Sequence, residues 1–289
     1  MAPPGFLFCC DPLRPRHPDS EFAQEASATR RAGARTVLVD HDALLDGDPE
    51  AAVGLVRRDS GPYWYRGWMI PPVRYAELEH ALAARGCVLL TNASAYRTAH
   101  ELPGWYEVFT ELTPRSVWCS LAAGGALPDP SAWSDLAGGL GPGPGIVKDF
   151  VKSRKHEWHE ACFVPELSDT DRLAAVVSRF VGLQGDFLAG GVVLRAYEPF
   201  VRGGEARVWW VDGEPVRVTA HPDTPGLLPA PALDAVGEAV RALRCRWVTT
   251  DMALREDGVW RVVEVGDGQV SGLPAGDDGE GLFTALLDA

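Results

Sequence analysis

Hydrophobic and polar positions along the first hundred residues switch repeatedly between two periods. The apolar run Phe6-Leu7-Phe8-Cys9-Cys10 predicts a buried strand. "SEFAQEASATRRAG" follows with helical spacing, Ser20 as its expected cap and Gly33 past its end. "RTVLVDHDAL" predicts a second strand, "YWYRGWMI" an aromatic one, "VRYAELEHALAARG" a helix closed by Gly86, and "CVLLTN" a further strand. Strands alternating with helices over short loops imply a parallel, three-layer α/β domain over residues 1–121.

The pattern then changes. Residues 122–145 are dense in Gly and Pro ("AAGGALPDP", "AGGLGPGPG") and predict a linker. Residues 146–200 predict strand, basic loop, strand, helix ("DTDRLAAVVSRFVGLQ") and strand. Residues 201–270 look mainly antiparallel: "EARVWWVDGEPVRVTA" predicts a hairpin turned at Asp212-Gly213, and a helix over 231–243 precedes a last hairpin. The expected fold is thus a parallel α/β domain followed by an α+β portion with antiparallel sheets.

Composition narrows the partners. The net charge of −13, from 27 Lys+Arg against 40 Asp+Glu, speaks against a nucleic-acid backbone as partner. No apolar run approaches the roughly 18 residues of a membrane span, and the first residues lack the basic start of a signal peptide. The six cysteines (Cys9, Cys10, Cys87, Cys119, Cys162 and Cys245) show no paired spacing, and the adjacent Cys9-Cys10 inside an expected strand predicts small buried hydrophobes in a reducing cytoplasm.

Candidate chemistry concentrates in the second half. "WVTTDMAL" and "VWRVVEV" bracket an Asp257-Gly258 turn, so Asp251 and Glu264 are expected side by side on paired strands. Two such acids repel unless a cation lies between them, and Mg²⁺ is held by one or two carboxylates together with nucleotide phosphates; an exposed hairpin with polar ends is the plain alternative. In "IVKDFVKSRKHEWHEACFV", Lys148 falls on a strand, and Lys152, Ser153, Arg154 and Lys155 crowd a turn. This cationic cluster suits a triphosphate or is simply a solvated turn. His156 and His159 lack the third ligand of a metal site. Pro199 interrupts the strand at Tyr197-Glu198, freeing backbone groups for an adenine edge. Glu205 and Arg207 share one strand face, as a surface ion pair or with Arg207 as a fork for phosphate.

A strand lysine with a basic loop, an acidic hinge, an inward arginine and a late carboxylate pair resemble the ATP-grasp superfamily. More narrowly, "VKDFVKSRKHEW", "GEARVWWVDGE", "VVEVGDGQVSGLP" and "YWYRGWM" resemble its clade named for two arginines and a lysine. The resemblance covers nearly the whole chain and is most specific in the last 145 or so residues. It implies an N-terminal α/β domain before a two-lobed grasp that binds ATP, with lobes over 146–200 and 201–289. It implies that Lys148 contacts the α/β-phosphates, and that Lys152 and Ser153 close over the phosphate tail. Glu198 and the backbone at Tyr197 hold the adenosine, with Glu205 among the nucleotide-binding residues. Arg207 serves the γ-phosphate or an acyl phosphate, and Asp251 and Glu264 bind Mg²⁺, or Mn²⁺ in its place. Two departures stand out. The phosphate loop is lysine-rich rather than glycine-rich, and the Asn expected two residues after Glu264 is Gly266. Either Asp267 supplies the missing oxygen or the second metal is held less firmly. Arg66, among Trp64, Tyr65 and Trp68, is the candidate for a substrate carboxylate, unless those rings only pack the core.

The resemblance implies a carboxylate–amine ligase joining small-molecule or peptide acids and amines through an acyl phosphate. A kinase on the same site and a non-catalytic nucleotide binder are the alternatives. A nucleic-acid ligase would need Lys-x-Asp-Gly, and "KDFV" lacks that glycine. The loop at 221–230 ("HPDTPGLLPA") belongs to the region expected to choose substrates and gives no chemical direction.

Overall fold

A computed structural model describes residues 3–222 and 230–289, so most of the 221–230 loop lies outside the described residues. The chain forms two compact units, neither of them one continuous stretch. Unit one comprises Met1–His100, Arg202–Met252 and Glu264–Ala289; unit two comprises Glu101–Val201 and Ala253–Val263. This interleaving differs from the head-to-tail division expected, because the late strands return to both units.

Unit one opens on β1 (Gly5–Asp11), and β2 (Arg14–Pro18) folds back antiparallel against its last residues. Helix α1 (Ala23–Arg31) leads to β3 (Arg35–Val39), and α2 (His41–Leu45) and α3 (Pro49–Ala52) lead to β4 (Tyr63–Arg66). Both β3 and β4 run parallel to β1, as the alternating pattern predicts. Phe6, Leu7, Phe8, Trp64 and Tyr65 are fully buried here, each stabilising the unit by about 1.5–3 kcal/mol. The helical cap is Asp19 rather than Ser20: its carboxylate accepts the Glu21 N–H, and one 3₁₀ turn precedes α1. After α4 (Pro72–Ala84), the strand expected at "CVLLTN" shrinks to a single bridge between Leu89 and Tyr63. The ladder stops because Asn92 Oδ1 takes the Ala95 N–H and starts α5 (Ala93–His100).

Unit two begins with α6 (Leu102–Trp105) and β5 (Ser116–Ser120). The expected linker contains α7 (Pro130–Gly138), because Trp133 and Ala137 give it a buried apolar face, with Leu136 packed against the same core. Then come β6 (Gly145–Asp149), β7 (Phe163–Val164), α8 (Thr170–Gln184) and β8 (Gly191–Ala196). The strands order β5-β8-β6-β7, all antiparallel. α8 covers this sheet with Leu173, Val176, Val177 and Phe180, the i, i+3, i+4, i+7 spacing of one helical face.

The returning strands are β9 (Phe200–Val211), β10 (Glu214–Ala220), β11 (Trp247–Arg255) and β12 (Trp260–Asp267), in the order β10-β9-β11-β12. Asp212 and Gly213 both adopt positive φ (48° and 84°), the geometry a two-residue hairpin loop of the primed type demands. Helix α9 (Asp234–Leu243) precedes β11. The terminal α10 (Glu280–Asp288), which the sequence pattern does not announce, packs Phe283 edge-on to Phe6 at 5.4 Å. Among the described residues no helix is long and apolar enough to cross a membrane.

Candidate active site

In unit two, Lys148 stands on β6, is almost wholly buried, and donates from Nζ to the Val151 carbonyl at 3.2 Å. The next residue, Asp149, organises the turn that follows. One carboxylate oxygen accepts the Val151 and Lys152 N–H groups at 2.7 and 2.5 Å; the other accepts Gln184 Nε2 at 2.6 Å and the Ala189 N–H at 3.3 Å. Gln184, at the end of α8, in turn accepts Arg154 Nε at 2.8 Å. Arg154 is therefore drawn into the scaffold, while Lys152, Ser153 and Lys155 stay exposed at the rim of the loop. The buried carboxylate shapes the loop, and the lysines give it charge.

The same unit carries the segment Tyr197–Pro199. Tyr197 donates its N–H to the Pro144 carbonyl at 2.9 Å and lies edge-on to Phe163 at 5.4 Å. Glu198 accepts a fork from Arg261 at 3.0 and 3.1 Å, with Arg255 3.5 Å away. A concavity opens here, lined by Tyr197, Glu198, Pro199, Arg255, Glu256 and Asp257.

In unit one, β9 presents Glu205 and Arg207 on one face, as the period of a strand requires. Arg207 forks onto Asp251 of β11, Nε to Oδ1 at 2.7 Å and Nη2 to Oδ2 at 2.8 Å, and its Nη1 reaches the Gly272 carbonyl at 2.9 Å. His221 completes the group, 3.2 Å from Asp251 and 3.6 Å from Glu205. Burial opposes the charge of Asp251, but Arg207 and then His221 outweigh it and hold the carboxyl well below its usual range. Burial likewise disfavours a charged His221, yet the hydrogen bond and charge of Asp251 raise its pKa overall.

A Gly268 N–H to Trp247 O bond of 3.0 Å fixes the local register of β11 against β12. That register pairs Thr249 with Gly266. An Arg255 N–H to Val259 O bond of 2.9 Å beside the turn sets a register one residue different, so the ladder shifts by one residue between its two ends. Asp251 and Glu264 lie on these paired strands. Glu264 is half-buried. Asp267, three residues on, falls on the opposite face of β12. It is fully buried, and one of its oxygens accepts the Gln269 N–H at 2.9 Å and Gln269 Nε2 at 3.0 Å. Burial raises its pKa to about 7. The expectation that Asp267 supplies a metal oxygen beside Glu264 does not match this placement.

Arg66 is also placed differently from its expected role. Its guanidinium is buried and forks onto Glu25 at 2.5 and 2.7 Å, while Nη1 donates to the Ser271 and Gln269 carbonyls at 2.7 and 3.1 Å. Its carboxylate partner is this chain's own. Trp64 and Tyr65 are core side chains, and only Trp68 is exposed, against Phe22. Arg66 thus pins one side of the turn after β12, and Arg207 takes the Gly272 carbonyl on the other.

A family model described as an ATP-grasp domain, family 3 of the clade named for two arginines and a lysine, matches residues 137–286. The chain belongs to that family. Its fold is shared by an ATP-grasp RimK domain protein from Sphaerobacter thermophilus DSM 20745, at 16% identity over 98% of both chains with a TM-score of 0.61. It is shared by the ATP-grasp ligase PsnB, solved with a minimal precursor, Mg and ADP, at 15% identity over 98% of this chain and 97% of that one (TM-score 0.57). D-alanine–D-alanine ligase from Bacillus anthracis matches at 17% identity over 100% of this chain and 95% of its own (TM-score 0.56). No curated protein matches the chain.

Mg²⁺ takes few protein ligands and completes its shell with phosphates and water, a donor set to which Asp251 and Glu264, on paired strands, would contribute hard oxygens. The described residues offer no group of three His, Cys, Asp or Glu side chains for a metal. Sequence reasoning missed Asp149, Gln184, Glu25, His221, Thr249 and Ser271. Asp149 alone left a signal, as an acid directly beside the strand lysine.

Proposed function

We propose that this ATP-grasp protein is an ATP-dependent carboxylate–amine ligase that activates its acid as an acyl phosphate. The observation that carries the reading is the carboxylate pair Asp251 and Glu264 on adjoining strands, with Arg207 locked onto Asp251 in the same unit. Family membership supports an ATP substrate, and Lys148 with the Asp149-shaped loop supplies cations suited to its phosphates. Glu198, Tyr197 and Glu205 are assigned to the nucleotide, and Lys152 and Ser153 to its phosphate tail. For Arg66 we propose a positioning role in place of the expected contact with substrate.

Asp251 and Glu264 would hold Mg²⁺, which when bound neutralises charge on the phosphates. Lys148, with its stem buried and its ammonium set by the Val151 carbonyl, offers a fixed point charge. Arg207, fixed by Asp251 and the Gly272 carbonyl, brings a guanidinium to the carboxylate pair without reorganisation during the reaction. A substrate carboxylate oxygen then bonds to the γ-phosphorus as the bond to ADP breaks. The amine, having lost its proton, bonds to the acyl carbon, and phosphate leaves with the former carboxylate oxygen. Water must be kept out until then.

The acids and amines are small molecules or peptides in this reading. Six free cysteines accord with action in a reducing cytoplasm. The test is an ADP-release screen of the protein with Mg²⁺, ATP and pooled amino acids or peptides, followed by mass spectrometry. A product weighing acid plus amine minus water is expected. A stable phosphorylated product with no amine requirement makes it a kinase instead, and no ADP with any pool makes it a binder.

A further inference from the structure

We propose that Ser271, backed by Thr249, is the neutral oxygen partner of the divalent ion, reaching it directly or through one of its waters; this rests on the assignment of Asp251 and Glu264 to that ion. Thr249 precedes Asp251 by two residues on β11 and so shares its face one pleat further along, and Gly266 of β12 lies against it. There Thr249 Oγ1 and Ser271 Oγ meet at 2.7 Å. A Cβ built on Gly266 would stand 2.9 Å from Thr249 Oγ1 and 3.2 Å from Ser271 Oγ. The bare glycine therefore leaves room that the two hydroxyls occupy, and any side chain there would displace them.

Proton accounting shows what the pair offers. Ser271 donates its single proton to the Asp267 carbonyl at 2.9 Å. Thr249 then donates to Ser271 Oγ, which leaves one lone pair on Ser271 and both on Thr249. Thr249 is almost fully buried and Ser271 half-buried. These oxygens are acceptors only, the form a hard cation or a water bound to one requires. Among the described residues no three His, Cys, Asp or Glu side chains are arranged to hold a metal together, His221 being engaged with Asp251 and Glu205, which leaves a place for a neutral oxygen.

The placement of Ser271 is imposed from both sides. Arg66, anchored on Glu25, takes the Ser271 carbonyl, and Arg207 takes the Gly272 carbonyl. The two arginines are thus positioning residues that hold the turn against the carboxylate strands.

The experiment is a Mn²⁺ titration in the presence of ADP, read as the electron paramagnetic resonance of free Mn²⁺, on wild type, Ser271→Ala, Ser271→Thr and Glu264→Gln. Ser271→Ala is expected to weaken Mn²⁺ by about tenfold, the size of effect that partners of metal ligands show. Its melting temperature in metal-free buffer should stay at the wild-type value, and Ser271→Thr should restore binding. Glu264→Gln should lose Mn²⁺ altogether. Wild-type Mn²⁺ affinity in Ser271→Ala with loss in Glu264→Gln overturns the hydroxyl role and leaves the carboxylate reading standing. Wild-type affinity in Glu264→Gln removes the underlying reading and this proposal with it. If Ser271→Ala does not fold, the isosteric Thr249→Val is compared in its place, with the same outcomes decisive.

Discussion

Buried charges in unit one are each fixed by a specific partner, and the partner decides what a substitution does. Arg66 and Glu25 are both sequestered, so Arg66→Ala leaves a carboxylate buried and alone. The expected cost is about 3–5 kcal/mol, read as a fall in the midpoint of chemical denaturation. Arg66→Lys should also destabilise, because an ammonium cannot reproduce the fork and the carbonyl contacts together. Asp267 behaves in the opposite sense. Its folded pKa of about 7 lies above the ordinary value of 3.8, so its stabilising contribution is complete below about 3.8 and is lost as pH rises through 7. Asp267→Asn should therefore gain stability relative to wild type between about pH 5 and pH 8, by at most about 3 kcal/mol, in denaturation curves taken at both values. A pH-independent difference would contradict this. The pairing of the two strands that carry Asp251 and Glu264 was legible in the sequence because the turn at Asp257-Gly258 is a local signal. Arg66 was not, since its partner lies 41 residues earlier and nothing in "YWYRGWM" points to Glu25. Ser271 was hidden for the same reason, its position being set by two distant arginines.

At the level of elements, the lysine loop takes its shape from the end of α8. Asp149→Ala removes an acceptor of four donors and leaves two turn N–H groups unsatisfied. We expect a raised KM for ATP with the sheet intact by far-ultraviolet circular dichroism; an unchanged KM would detach the loop from nucleotide binding. The β9–β10 hairpin depends on its glycine. Gly213 has φ of 84°, and an added Cβ would lie 2.5 Å from Arg241 Cγ. Gly213→Ala should cost more than about 1 kcal/mol, visible as a lower melting temperature. This hairpin and the strand–helix alternation of the first hundred residues were readable because period and turn chemistry agree there. "CVLLTN" was over-read, since apolar content without a partner edge yields one bridge before Asn92 starts a helix. The Gly/Pro density of 122–145 concealed α7, whose buried face rests on Trp133 and Ala137.

For the molecule as a whole, linear order misled where local pattern did not. The segment Tyr197–Pro199 and the turn at Arg255–Asp257 belong to one unit, while Arg207 and Asp251 belong to the other. Strands β9, β11 and β12 each contribute residues to both, so a boundary drawn by composition could not find the division. The family assignment was legible throughout because it rests on residue types at strand positions, which survive such interleaving. The most direct test of the central claim is substrate-dependent ADP release by Lys148→Ala and Glu264→Ala against wild type, with circular dichroism to confirm the fold. Both variants are expected to fold and to release no ADP. Turnover at the wild-type rate in either one would contradict the account.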